Sequence, residues 1–75
     1  MKIKFSNGVN QAYIEKFDVY AYKGAHRKTP AYRVWAFAPY DNNFVYHVST
    51  FETMTDALKD LERIGGGFKE MKENV

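Results

Sequence analysis

Two histidines and a serine are the side chains of this sequence whose types best suit catalysis or metal binding. His47 and Ser49 share one face of a predicted strand, whereas His26 lies in a predicted loop. No carboxylate pair is spaced to complete a metal site with either histidine, and no acid or oxyanion-binding group accompanies the His–Ser pair. The chain has no cysteine, which excludes thiolate metal sites and thiol nucleophiles. We therefore predict no enzymatic activity, no cofactor and no metal site.

Carboxylates and glycines near the C-terminal end have simpler interpretations than chemistry. Glu52, Asp56 and Asp60 are predicted to form the solvated face of a helix and not a paired-carboxylate site. The glycines 65–67 follow that helix, whereas a phosphate-binding loop precedes one. They are predicted to end the helix, because glycine tolerates the left-handed backbone found there.

Basic and aromatic residues are concentrated in the middle of the chain, and this pattern is typical of nucleic-acid binding. Between Val19 and Tyr40 there are four basic residues and no acidic one, and aromatic residues make up 17% of the whole sequence. Rings stack on bases, and Lys and Arg neutralise phosphates. The candidate nucleic-acid-binding residues are Tyr20, Tyr22, Lys23, Arg27, Lys28, Arg33 and Trp35.

The elements that would position these side chains follow from alternation and helical spacing. Strands are predicted over about 2–6, 17–23, 32–38 and 44–50, a helix over about 54–64 and a tail over 65–75. Asn7-Gly8 favours a two-residue hairpin turn that returns through residues 9–13, although a short helix over 11–16 remains an alternative. Thr53 is a predicted helix cap. The predicted fold class is α+β: a three- to four-stranded antiparallel meander with one C-terminal helix across one face, in a single domain.

The helix is expected to cover the purely apolar face of this sheet, because it cannot bury its own apolar stripe alone. That stripe consists of Met54, Ala57, Leu58, Leu61 and Ile64. The covered face is predicted to hold Val19, Ala21, Val34, Ala36 and Val48. The outward face is predicted to hold Tyr20, Tyr22, Trp35 and Phe37 together with Asp18, Arg33, His47 and Ser49.

Two segments resemble a known family of DNA-binding domains. The run Tyr32-Arg-Val-Trp-Ala-Phe37 and the strand-to-helix step Ser49-Thr-Phe-Glu-Thr-Met-Thr-Asp-Ala57 are similar to three-stranded-sheet-plus-helix domains. These are the AP2-type domains and the arm-binding N-terminal domains of integrases. The resemblance implies major-groove recognition by the exposed sheet, with Arg33 and Trp35 in the contacting positions.

Two alternatives come from other functional classes. The acidic helix, with Glu52, Asp56, Asp60 and Glu62, could serve a protein-interaction or inhibitor module of a phage or mobile element. The aromatic face could instead form a homodimer. The chain has 75 residues, no apolar run near the ~20 residues of a membrane helix and no apparent secretion signal, so we expect a cytoplasmic protein without a membrane partner.

Overall fold

One antiparallel sheet and one helix form the chain in the computed structural model, which describes residues 1–39 and 41–71 apart from the side chain of residue 42. The elements in chain order are β1 (Lys2–Ser6), β2 (Gln11–Tyr20), β3 (Lys28–Ala38), β4 (Asp41–Phe51), α1 (Met54–Ile64) and β5 (Lys69–Glu70). The strand order across the sheet is β4-β3-β2-β1-β5. The predicted α+β class, antiparallel meander and single packed helix are confirmed, with five strands where three or four were expected.

The first turn is longer than the two-residue turn predicted from Asn7-Gly8. Ser6 pairs with Gln11, so four residues connect β1 to β2. The Asn7 Oδ1 atom accepts hydrogen bonds from the backbone N–H groups of Val9 (2.9 Å) and Asn10 (2.6 Å), and Gly8 has a positive φ of 86°. The asparagine side chain therefore organises this loop in the manner of an Asx turn.

The second strand differs most from the sequence-based prediction. Residues 11–20 form one continuous strand, so the alternative helix over 11–16 is wrong and the predicted strand 17–23 ends too late. Ala12 and Ile14 pair with Ala36 and Val34 across the ladder, and all four side chains are buried. The apolar face of β2 therefore lies near its start, in a stretch that the predicted hairpin return through residues 9–13 covers only in part.

The core between the sheet and α1 is small and rich in alanine. Its buried members are Phe5, Ala12, Ile14, Val34, Ala36, Ala57 and Leu61. Val34 and Ala36 face the helix as predicted, whereas Val19, Ala21 and Val48 are exposed and the prediction for them is wrong. The cause is the register: alternation started from Ala12 places the even-numbered residues of β2 toward the helix.

The helix begins where the sequence predicts. The Thr53 hydroxyl accepts a hydrogen bond from the Asp56 backbone N–H at 3.2 Å, which confirms the predicted cap. The apolar stripe is rotated from its predicted position, because Leu58 is exposed and Asp60 is buried beside Ala57 and Leu61. The helix ends at Ile64, and the left-handed backbone appears at Gly66 and Gly67, with φ of 63° and 68°.

The described part of the predicted tail returns to the sheet as β5. Lys69 and Glu70 pair with Ser6 and Phe5 of β1, and the Met71 N–H donates to the Lys4 carbonyl at 2.8 Å. Phe68 packs against the core, while residues 72–75 of the predicted tail lie outside the described residues. Over the part of the chain that the structure describes, no helix has the length and apolar character needed to cross a membrane.

Candidate nucleic-acid interface

The seven predicted binding residues fall into two groups. Tyr20, Tyr22, Lys23, Arg27 and Lys28 lie at the tip of the β2–β3 hairpin, which we call the hairpin end and define as residues 18–30. Arg33 and Trp35 lie on the sheet surface opposite α1, which we call the open face. The sequence placed Tyr20 and Tyr22 on one face with Trp35. This is wrong, because Tyr20 follows the alternation of Ala12 and Ile14 and Tyr22 lies beyond the strand.

The hairpin end projects past the helix-covered core. No residue of segment 18–30 belongs to the core cluster, and eleven of the thirteen residues are exposed. The molecule is accordingly elongated, with extents of 42 × 30 × 22 Å. Tyr20 and Tyr22 expose 60% and 71% of their surface, which leaves both rings accessible to a ligand.

The hairpin end is closed by local hydrogen bonds. The Ala21 N–H donates to the Arg27 carbonyl at 3.0 Å, and the Ala25 N–H donates to the Tyr22 carbonyl at 2.9 Å. Gly24 supplies the positive φ, 87°, that this loop requires. The backbone of this loop is therefore held by its own hydrogen bonds, and Lys23, Arg27 and Lys28 are exposed.

The charge of the hairpin end is not neutralised internally. It carries Lys23, Arg27 and Lys28 against Asp18 alone, a surplus of two that equals the formal net charge of the whole chain, +2. Among residues 1–39 and 41–71, the ion pairs all involve Asp60, so none of these three cations is paired with a carboxylate. The Lys28 ammonium lies 5.3 Å from the centre of the Tyr20 ring, which keeps a cation beside an exposed aromatic surface.

Arg33 is held on the open face by aromatic rings. Its guanidinium carbon is 4.7 Å from the centre of the Phe17 ring and 5.7 Å from that of Trp35, and its Nε donates to the Thr50 hydroxyl at 3.3 Å. It pairs in register with Glu15, but the two side chains form no ion pair. Stacking with one directed hydrogen bond orients an arginine while leaving its terminal amino groups available.

Trp35 is less accessible than the sequence predicts. Its side chain is half-buried, and its Nε1 is buried with no hydrogen-bond partner in the described part of the chain. The Tyr13 ring lies 5.8 Å from the Trp35 ring and 5.4 Å from that of Phe37, centre to centre. The tryptophan therefore belongs to an aromatic cluster that supports Arg33, and its face is partly occupied by that cluster.

An open groove links the two groups of predicted residues. It has a volume of about 660 Å³ and lies where β4 leaves the sheet to enter α1. Tyr20 and Arg33 both line it, together with Phe17 and Phe51, and Glu52 contributes one carboxylate. The structure thus brings Arg33 and the hairpin end to one continuous surface, although Trp35 does not line the groove.

Sequence reasoning missed several members of this surface. Phe17 contacts Arg33, and Tyr13 contacts Trp35. The Lys2 ammonium lies 4.9 Å from the centre of the Tyr13 ring. Phe17 was assigned to a strand but to the covered side, and Tyr13 to a hairpin return with no assigned role. The alternation Tyr13, Glu15, Phe17 was visible in the sequence, and it becomes informative once β2 is known to start at Gln11.

A second polar cluster lies between the helix and the sheet. Buried Asp60 accepts hydrogen bonds from Arg63 Nη2 at 2.6 Å and pairs with His47 Nε2 at 2.7 Å. Burial raises the pKa of Asp60, but the hydrogen bonds and charges of Arg63 and His47 outweigh it, so the pKa is lowered from its usual value. The predictions of a solvated Asp60 and an outward His47 are therefore wrong.

This cluster has the form of a structural ion pair. Ser49 shares the helix-side alternation of β4 with His47, since both residues pair with helix-facing residues of β3. Asp60 is therefore an acid beside His47, which the sequence did not reveal. No group of three or more potential metal ligands occurs within the described ranges of the chain.

The chain has no match among protein-family models, curated proteins or solved structures. The resemblance to AP2-type and integrase arm-binding domains therefore stays a prediction.

Proposed function

We propose that this protein binds nucleic acid through the hairpin end, with Arg33 as an additional contact. The observation that carries the proposal is a projecting two-stranded hairpin whose three cations have no carboxylate partner among residues 1–39 and 41–71. Unpaired cations at an exposed position attract phosphates and release counterions on binding. A two-stranded ribbon also has the dimensions that the major groove of duplex DNA admits.

The roles of the individual residues follow from their exposure. Lys23, Arg27 and Lys28 contact phosphates, while Tyr20 and Tyr22 stack or lie against sugars and bases. Arg33 reaches the ligand through the groove that it shares with Tyr20. Trp35 is reassigned from base stacking to the support of Arg33, because its ring is half-buried among Tyr13 and its neighbours.

The acidic-helix alternative is weakened by the burial of Asp60. Of the four carboxylates in that hypothesis, Glu52, Asp56 and Glu62 remain exposed. Exposed Lys59 and Arg63 lie on the same helix and reduce its negative potential. The exposed surface of the helix therefore offers a basic partner less negative charge than the sequence predicts.

The test is the affinity for labelled nucleic acids, measured by fluorescence anisotropy. A short DNA duplex, a DNA single strand and an RNA of equal length are titrated at about 50, 100 and 200 mM salt. With three phosphate contacts, log K for the duplex is expected to fall with log salt at a slope of about −2.7. Absence of binding to all three ligands at the lowest salt and about 100 µM protein would overturn the proposal, since non-specific contacts alone reach about 10⁻⁴ M.

A further inference from the structure

The outer edge of the sheet, formed by β4, has little protection against pairing with another strand. β4 is eleven residues long and lies at the end of the strand order, so one of its sides has no neighbouring strand among the described residues. Its sequence has no proline, lysine or glycine, and Asp41 at its start is its only acidic residue. Proteins ordinarily protect an exposed edge with charges, prolines or a very short strand.

The opposite edge of the same sheet shows the protection that β4 lacks. There β1 is covered by β5, a strand of only two residues, Lys69 and Glu70. β1 itself carries Lys2 and Lys4. One edge is therefore short and charged, whereas the other is long and almost without charge.

Large apolar side chains on β4 are left in solvent. Phe44, Tyr46 and Val48 expose 59%, 44% and 48% of their surface. In the described part of the chain, the buried apolar residues larger than alanine are Phe5, Ile14, Val34 and Leu61. A chain of 75 residues with so small a core and no disulfide is a candidate for stabilisation by association.

The pairing of β4 with β3 indicates which part of β4 is regular enough to pair with another strand on its free side. Residues 47–51 pair with β3 in unbroken register, from His47 with Ala36 to Phe51 with Tyr32. The register shifts, which bend a strand, are confined to the first half of β4. Val48 thus lies in the regular half, whereas Phe44 and Tyr46 precede it in the irregular half.

We propose that β4 pairs antiparallel with β4 of a second copy of this chain, which joins two sheets into one. The lack of charge along the regular half favours a second copy as the occupant. Self-pairing there brings no like charges together, and residues 47–51 contain no Asp, Glu, Lys or Arg that would select an oppositely charged partner. A two-fold arrangement uses the same patch on both copies, as most homodimers do. This dimer differs from the one predicted from the sequence, which used the aromatic face.

Sedimentation equilibrium from about 10 µM to about 1 mM protein tests the proposal, because dimer formation depends on concentration. The wild-type mass is expected to rise from 8.7 kDa toward twice that value. Val48→Lys places a protecting charge in the regular half and is expected to weaken the dimer at least tenfold. Val9→Lys is the matched control, because Val9 is exposed in the first turn, away from β4, and it should leave the dimer unchanged.

Thr50→Lys, at an exposed position of the same regular half, is a second variant, which carries the test if Val48→Lys lowers the helical and sheet content seen by circular dichroism. A wild-type mass of 8.7 kDa throughout the range would overturn the proposal. So would a dimer that both β4 variants leave intact, since it would use another surface. Nucleic-acid affinity is measured separately at low protein concentration, so the failure of dimerisation and the failure of binding are distinguishable.

Discussion

The two ends of the β2–β3 hairpin are built for different tasks. At its base Ile14 and Val34 pair with each other and are almost fully buried under α1. At the hairpin end, eleven of thirteen residues are exposed and none belongs to the core. The same two strands therefore provide the stability of the protein at one end and its proposed binding surface at the other.

The two regions also differ in whether their charged side chains are paired. At the base, the carboxylate of Asp60 is buried and held by two side chains, Arg63 and His47. At the hairpin end, Lys23, Arg27 and Lys28 have no carboxylate partner in the part of the chain that the structure describes. Substitutions at the base should thus change folding, and substitutions at the hairpin end should change binding.

The largest effect on stability is expected from the core of the base. Val34→Ala removes two buried methyl groups and should lower the free energy of unfolding by about 2–3 kcal/mol, because a cavity adds to the lost transfer energy. Val19→Ala makes the same change on the neighbouring strand at the hairpin end and should cost less than about 1 kcal/mol. Urea unfolding of both variants measures the difference. Equal losses would show that the hairpin end is as well packed as the base.

The buried ion pair should come next in size. Asp60→Asn removes a charge that accepts hydrogen bonds from Arg63 and His47, and should lower the free energy of unfolding by about 1–2 kcal/mol at neutral pH. Glu62→Gln removes an exposed carboxylate from the same helix and should change it by less than about 0.5 kcal/mol. If both variants lose the same free energy of unfolding, the hydrogen bonds of Asp60 stabilise the protein no more than an exposed carboxylate does.

The same cluster predicts a dependence of stability on pH. The pKa of Asp60 is lower in the folded protein than the usual value of 3.8, so the ionised form favours folding. Its contribution is fully present above that value and is lost as the pH falls through the lower folded pKa. The gap in unfolding free energy between wild type and Asp60→Asn should shrink as the pH falls below about 4. A gap that widens on acidification would contradict the assigned pairing.

The helix cap should have the smallest of these effects. Thr53→Ala removes the hydroxyl that accepts from the Asp56 N–H and should cost about 1 kcal/mol. Thr55→Ala, two residues later, removes a hydroxyl from an exposed position inside the helix and should be neutral or slightly stabilising. Thermal unfolding followed by circular dichroism distinguishes the two variants. Similar midpoints would show that the Thr53 cap does not stabilise the helix.

Local rules were sufficient for part of the fold. Thr53 and the glycines 65–67 define the ends of the helix through capping chemistry, which depends on neighbours in the chain. The first strand and the β3 and β4 segments show alternation strong enough to place them within a few residues. The identity of these elements could therefore be predicted without tertiary information.

Register could not be predicted, and most errors follow from it. β2 runs from Gln11 to Tyr20, but Phe17–Lys23 shows the clearer alternation, so Val19 was assigned to the wrong face. Helical spacing puts Asp60 within the apolar stripe. A carboxylate is nevertheless predicted to be solvated unless the side chain that pairs with it is known. That partner, His47, comes from a distant strand, and only the fold brings the two together. β5 is two residues long and has no alternation to detect.

The candidate site was predicted by residue type more successfully than by position. The cations of the hairpin end and the exposed Tyr20 and Tyr22 lie together, as the charge pattern indicates. Trp35 was expected to be a stacking platform because tryptophan often is. Its contact with Tyr13 arises from the pairing of residues in β2 and β3, which a single sequence does not reveal.

We propose that nucleic acid contacts the cations of the hairpin end and Arg33, and not the cations of α1 and β5. The direct measurement compares the salt dependence of duplex binding for Arg27→Gln/Lys28→Gln with that for Lys59→Gln/Lys69→Gln. Both variants remove two exposed cations, the second pair from α1 and β5. We expect the slope of log K against log salt to become less steep by about 1.8 in the first variant and to stay at the wild-type value in the second. Equal changes in the two variants would show that binding follows net charge alone, and would contradict the assignment of the site to the hairpin end.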